Sequence, residues 1–271
     1  KMIGSIDRAV TGLGEIHPLN NSYYAQCLEI FEANSDQRPG LLGWFEANVV
    51  SKMSQDANTI LSVGCGTGAF DERILGYARA RMNQVTYLGI EPNEISAAEF
   101  LQAMGSQICD QVDVSVLVQR FGEQTFENEF DLILFVQSIY YLEDRNDAID
   151  AAMRALKPGG ELIIVIAPDE ELNTIANLMW QRQMEQKSWF SDDVRAHFDA
   201  RGLDYAETRI GATLNAKGCF GEATEVGRNI LDFIVQTRLD ELPAGLHSDI
   251  SKFLMSITDV LDVNPCLPHP V

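Results

Sequence analysis

The sequence predicts an α/β fold: a doubly wound, mostly parallel sheet with a helical N-terminal segment and inserted lid segments. Two observations carry that expectation. Between residues 58 and 168, short β-rich runs alternate with amphipathic stretches long enough to cross back over a sheet. The first run passes directly into a glycine cluster, Gly64-Cys65-Gly66-Thr67-Gly68. Glycines at a strand–helix junction let the backbone turn sharply and approach a ligand closely, and the helix N-terminus presents free N–H groups.

Taken in order, residues 22–52 read as two helices, SYYAQCLEIFEA and LLGWFEANVVSKM, parted at Pro39-Gly40. TILSV (59–63) is a strand candidate, and FDERILGYARARM (70–82) is a helix with apolar residues three and four apart. QVTYLGI (84–90) is a second strand, followed by a helix through EISAAEFLQAM (94–104). VDVSVLV (112–118) and FDLILFV (130–136) are further strands. Residues 138–156 read as a helix ending at Pro158-Gly159-Gly160, and ELIIVIA (161–167) as a fifth strand.

Beyond residue 170, helices are expected at 170–185, 191–201, 222–239 and 245–261, with one strand candidate at 203–210. This divides the chain into a helical cap (1–55), a ligand-binding core (56–170), and a last part (171–271) whose lid helices and C-terminus complete the fold and substrate pocket. The helical N-terminus and the 170–200 segment are expected to cover the ligand end, because ligands bind outside the carboxyl ends of parallel strands.

Forty acidic against twenty basic residues give a formal charge of −20. Such a surface repels phosphate backbones, and no basic cluster offsets it, so nucleic acid and anionic membrane surfaces are not expected partners. The same field attracts a cationic substrate, and it equally serves plain solubility. No apolar run reaches the roughly 18 residues of a membrane span, and the opening KMIGSIDRAV lacks the layout of a signal peptide. Five scattered cysteines without a C-x-x-C pair, and four dispersed histidines, point to a reducing cytoplasm and to no metal site.

The glycine cluster alone is ambiguous. G-x-G-x-x-A, with Ala69 in the sixth place, also fits a dinucleotide fingerprint. Glu91 follows the second strand, 27 residues after Gly64, in LGIEPNE. A carboxylate there can accept hydrogen bonds from both ribose hydroxyls, and either nucleotide reading requires one. It also suits a helix start ahead of Pro92.

Later blocks separate the readings. FDLILFVQSIYYLED (130–144) and ALKPGGELIIVIAP (155–168) resemble the fourth and fifth strand regions of class I methyltransferases, a Rossmann-like family that uses S-adenosylmethionine. The resemblance narrows to the histamine N-methyltransferase family through ILSVGCGTGAFDERIL, GIEPNE, FDLILFVQSIYYLED, LIIV, LNTIANLMWQ, SDDVRAHFDARGLDY and NILDFIV. It implies cofactor contacts at Gly64, Cys65, Gly66, Gly68, Glu91, Glu123, Val136 and Gln137. It also implies that Gln137, Tyr140 and Tyr141 line an acceptor pocket closed by Trp180. Each has a plain alternative: the tyrosines and Trp180 as packing residues, and Cys65 as a filler beside the turn, not a nucleophile.

Two positions depart from the family pattern. The glutamate that meets the substrate amine is matched by Gln37, beside Asp36. The C-terminal strand that supplies a pocket residue is matched by DVLDVNPCLPHPV, where Pro265, Pro268 and Pro270 argue against a strand. The function expected is therefore S-adenosylmethionine-dependent methyl transfer to a small-molecule acceptor, an amine or other nitrogen. The alternatives are an O- or C-methyltransferase of a biosynthetic pathway, or a catalytically silent S-adenosylmethionine-binding protein.

Overall fold

The computed structural model describes residues 2–184, 187–261 and 264–271. The chain divides into two compact units. One comprises residues 41–166, and the other residues 1–40 with 167–271. Helices α1 (Met2–Thr11) and α2 (Asn21–Ala33) belong to the discontinuous unit, and α3 (Gln37–Asn48) begins in it and ends in the continuous one.

The continuous unit is built on five parallel strands: β1 (Ala57–Val63), β2 (Gln84–Ile90), β3 (Val112–Leu117), β4 (Phe130–Val136) and β5 (Leu156–Val165). Their order is β3-β2-β1-β4-β5. The central strands β1 and β4 are buried along most of their length, which is why both read as near-continuous apolar runs. Helices α4 (Asp71–Arg79), α5 (Glu94–Met104) and α6 (Arg145–Ala155) connect them. Strand order reverses between β1 and β4, so the crevice for a ligand opens at the carboxyl ends of those two strands. Tyr87, Phe100, Phe135, Ile60 and Leu61 are fully buried in this unit's core, each such side chain contributing about 1.5–3 kcal/mol.

The helix starts are chemically marked. Asn93 caps α5 by accepting from the N–H groups of Ile95 and Ser96, both at 3.0 Å. Asp144 caps α6 by accepting from the Asp147 N–H at 3.0 Å. This cap corrects the helix expected from residue 138. Gln137 adopts a left-handed backbone (φ 54°), and residues 139–141 form a single 3-10 turn before the cap. At the far end α6 stops at Ala155, and Lys157-Pro158-Gly159-Gly160 lies within β5, in a register shift opposite Phe130 and Leu132.

In the discontinuous unit, α1 and α2 are joined by α7 (Leu172–Met184), α8 (Ser191–Arg201), α9 (Glu225–Val235) and α10 (Ala244–Ser256). Here α2 and α7 pack on α9, and α1 packs on α7 and α10. Ile6, Phe31, Ile175, Ile230, Ile250 and Leu267 meet in its core. The helix expected over 170–185 is α7, and residue 185 lies outside the described residues. A break expected at Pro39-Gly40 falls instead at 34–36. Pro39 sits in the first turn of α3, where its missing N–H breaks no bond.

Two further expectations are corrected here. Residues 203–210 form no strand. The proline-rich end does form strands: β6 (Thr213–Asn215), β8 (Asn264–Pro268) and β7 (Asp259–Leu261) make an antiparallel sheet with β8 central. Residues 262–263 of the C-terminal block lie outside the described residues. The prolines are tolerated because of where they sit. Pro265 contributes its carbonyl, accepting from the Ala216 N–H at 2.8 Å, and Pro268 stands past the Asp259–Cys266 pair that ends the β7 ladder.

Candidate functional site

Register brings the key residues together. Val63 of β1 pairs with Ile90 of β2, so the glycine turn and Glu91 leave neighbouring strands side by side. The Gly64 N–H donates to the Ile90 carbonyl at 2.8 Å. Gly64, Gly66 and Gly68 all have positive φ (66°, 56° and 79°). At two of them space adds to conformation. A Cβ on Gly64 would stand 2.7 Å from Ser138 Cβ, and one on Gly68 would stand 2.8 Å from Phe100 Cδ2. At Gly66 nothing lies within 4 Å of where a side chain would start, which leaves room for a ligand to approach the backbone.

Glu91 braces this turn. One carboxylate oxygen accepts from the Gly66 N–H at 3.1 Å, and the other accepts from the Asn93 N–H at 2.9 Å. Each oxygen keeps lone-pair capacity for a hydroxyl donor. Cys65 is buried, and burial, then Asp71, then Glu91 push its thiol well above the usual range. A neutral thiol of that kind packs and does not attack.

The second half of the site is the turn after β4. The Gln137 N–H donates to the Val165 carbonyl at 3.0 Å, and Ser138 Oγ donates to the Val63 carbonyl at 2.6 Å, tying this turn to β5 and β1. Tyr140 donates its hydroxyl to Gln137 Oε1 at 2.9 Å, which orients the amide. A non-glycine residue held in the left-handed region carries about 1–3 kcal/mol of strain, a cost that concentrates at working sites. On the loop after β3, Glu123 folds back to accept from the Arg120 N–H at 2.9 Å, and Arg120 pairs with Glu143.

These segments enclose a cavity of about 1010 Å³. Gly64, Gly66, Glu91, Glu123, Gln137 and Tyr141 line it, and Tyr141 is 65% exposed. Cys65, Gly68, Val136 and Tyr140 are not among the lining residues. Of these, Tyr140 bonds a lining residue through its hydroxyl, which donates to Gln137 Oε1. Reasoning from sequence missed Ser138, Arg120 and Phe121. A serine directly after the left-handed Gln137 gives a sequence signal only once the end of β4 is known. The β3–β4 loop has no periodicity to flag it.

Gln37, Asp36 and Trp180 belong to the discontinuous unit. Gln37 Nε2 donates to the His269 carbonyl at 2.8 Å. The Asp36 carboxylate accepts from the Thr213 N–H at 2.6 Å and from its hydroxyl at 3.2 Å. Burial lowers the His269 pKa to about 4, although Asp36 pulls it upward. Trp180 is half-buried on α7.

Residues 61–162 match the family described as Methyltransferase domain. The chain is 20% identical over 241 residues to histamine N-methyltransferase of Xenopus tropicalis, covering 80% of this chain and 81% of that protein. It is 24% identical over 257 residues to carnosine N-methyltransferase 2 of Gallus gallus, covering 87% of this chain and 76% of the relative. Among solved structures, it is similar to a Bacillus halodurans protein provisionally assigned as a methyltransferase. There the TM-score is 0.55 at 14% identity, over 84% of this chain and 94% of that one. The YcgJ protein of Bacillus subtilis gives a TM-score of 0.54 at 13% identity, with the same coverage. These two likenesses bear on the fold. The glycine turn, with its open space at Gly66 and the acceptor carboxylate beside it, fits a nucleoside cofactor. The domain match over residues 61–162 and the β3-β2-β1-β4-β5 sheet together give this chain a methyltransferase domain with the class I S-adenosylmethionine-dependent methyltransferase fold.

Proposed function

We propose that the chain methylates a small-molecule acceptor at an amine or other nitrogen. The observation that carries this reading is its similarity to histamine and carnosine N-methyltransferases over 80–87% of its length. The Gln137–Tyr140 pair at the mouth of β4 supports it.

In this reading Gly64, Cys65, Gly66, Gly68, Glu91, Glu123, Val136 and Gln137 form the cofactor site. Gly66 gives close backbone approach, and Glu91 accepts from the ribose hydroxyls with the lone pairs that Gly66 and Asn93 leave available. Glu123 and the β3–β4 loop bound the base end, and Val136 with Gln137 bounds the reacting end. When bound, S-adenosylmethionine supplies a methyl group already activated by a positively charged sulfur. The chain's residues have therefore to orient the acceptor lone pair, exclude water and accept an unprotonated amine. In the same reading Gln137, held by the Tyr140 hydroxyl, and the exposed ring of Tyr141 orient the acceptor.

The test is a transfer assay with methyl-labelled cofactor and a panel of amines, phenols and carboxylates. An N-methyl product is expected. A methyl ether, ester or C-methyl product moves the chain to the O- or C-methyltransferases. Tight cofactor binding without transfer to any acceptor makes it a silent binding protein.

A further inference from the structure

The crevice between β1 and β4 begins where their pairing stops. Main-chain pairing runs from Ile60 with Leu132 to Ser62 with Leu134 and ends there, short of the turns that follow both strands. Each turn is anchored to the outer neighbour of its own strand. The Gly64 N–H donates to the Ile90 carbonyl of β2, and the Gln137 N–H donates to the Val165 carbonyl of β5. Ser138 spans the gap between them. It lines the cavity yet is only 7% exposed, and its Oγ donates to the Val63 carbonyl at 2.6 Å. Its own carbonyl accepts from the Tyr141 N–H at 3.2 Å, closing the 3-10 turn that brings Tyr141 to the cavity. Packing tightens the same junction, since a Cβ on Gly64 would stand 2.7 Å from Ser138 Cβ.

We propose that Ser138 is a positioning residue for methyl transfer: its bond to Val63 fixes the spacing between the glycine turn and the turn after β4. In-line transfer requires the donor methyl and the acceptor lone pair at near-attack distance. A displacement of about 1 Å there can cost on the order of a hundredfold in rate. Without the hydroxyl each turn keeps its own strand anchor, and Glu91 still braces Gly66, so the cofactor still binds. What is lost is the tie from one turn to the other. The proposal rests on the reading of this site as one of methyl transfer, with Gln137 and Tyr141 orienting the acceptor.

Kinetics with methyl-labelled S-adenosylmethionine test it, using the amine of the transfer panel that the wild type methylates fastest. Active sites are counted by calorimetric titration with S-adenosylhomocysteine, so unfolded chains do not enter the rate. Ser138→Ala keeps the Cβ and removes the bond. It is expected to lower kcat per titrated site at least tenfold, with affinity for S-adenosylhomocysteine within about threefold of wild type. Ser138→Thr keeps a hydroxyl and is expected to hold kcat within about threefold of wild type. Ser138→Cys, a weaker donor of similar shape, must fall between the two, and it carries the test should Ser138→Ala yield no titratable sites. A hydroxyl that serves stability alone lowers the unfolding temperature and leaves kcat per site unchanged; that result overturns the proposal. So does a Ser138→Thr as slow as Ser138→Ala, or a loss of cofactor affinity as large as the loss in kcat. A wild type that transfers methyl to no acceptor overturns the methyl-transfer reading, and this proposal with it.

Discussion

The Glu91 carboxylate accepts a hydrogen bond from the Gly66 N–H at 3.1 Å, joining the end of β2 to the turn that follows β1. Its other oxygen accepts from Asn93, so one side chain fixes both the turn and the start of α5. Hydrogen bonds to a charged group contribute about 1.5–3 kcal/mol each. Glu91→Ala is expected to weaken S-adenosylhomocysteine binding at least tenfold, and Glu91→Gln, which keeps one acceptor, less. Isothermal titration reads both. Unaltered affinity in Glu91→Ala would remove the carboxylate from the site.

Gly66 and Gly68 share a positive φ and differ in surroundings. Gly68→Ala combines left-handed strain with a Cβ 2.8 Å from Phe100 Cδ2 and 3.1 Å from its Cα, and is expected to cost about 2–5 kcal/mol. Gly66→Ala meets nothing within 4 Å and is expected to cost only about 1–2 kcal/mol. Urea unfolding ranks the two. Equal costs would mean that packing against Phe100 does not constrain the turn.

Gln137 shows a stability–activity conflict. Gln137→Gly relieves the left-handed strain at φ 54° and loses the bond from Tyr140. The two effects oppose each other, so stability is expected to stay within about 1 kcal/mol of wild type. Methyl transfer is expected to fall at least tenfold, because the amide proposed to orient the acceptor is gone. Thermal unfolding and a transfer assay, run together, separate the effects. Full activity in this variant would exclude Gln137 from the reaction.

His269 ties stability to pH. Burial lowers its pKa from the ordinary 6.5 to about 4, and Ser35 Oγ lies 2.7 Å from Nδ1. Between those values the unfolded chain takes up a proton that the folded chain does not. This contribution to stability is therefore fully present above pH 6.5 and is lost as pH falls toward 4. From pH 6.5 to 5 the loss is expected to approach about 2 kcal/mol, and His269→Gln should flatten that slope. An identical slope in the variant would place the titration elsewhere.

Much of the parallel sheet was legible, for reasons particular elements make plain. The bounds of β2 and β4 match the expected runs, and α5 and α8 match the expected helices. Each has strong periodicity and sharp punctuation: Asn93 at one helix start, Gly202 in the left-handed conformation at one helix end. The glycine turn and Glu91 were legible because backbone freedom and a strand-end carboxylate leave local marks. What was missed depends on partners far along the chain. Helix α1 is held by α7 and α10, more than 150 residues away, and its short apolar stripe is marginal alone. Strand β8 contains prolines that only the ladder shows to be harmless. The turn at 137–141 replaces the start of a helix because Ser138 and Gln137 are drawn onto β1 and β5.

The most direct measurement is calorimetry of the unmodified protein against S-adenosylmethionine and S-adenosylhomocysteine. One molecule of either ligand is expected to bind per chain and to raise the unfolding temperature as its concentration rises. Absence of binding by both would contradict the cofactor assignment at its root.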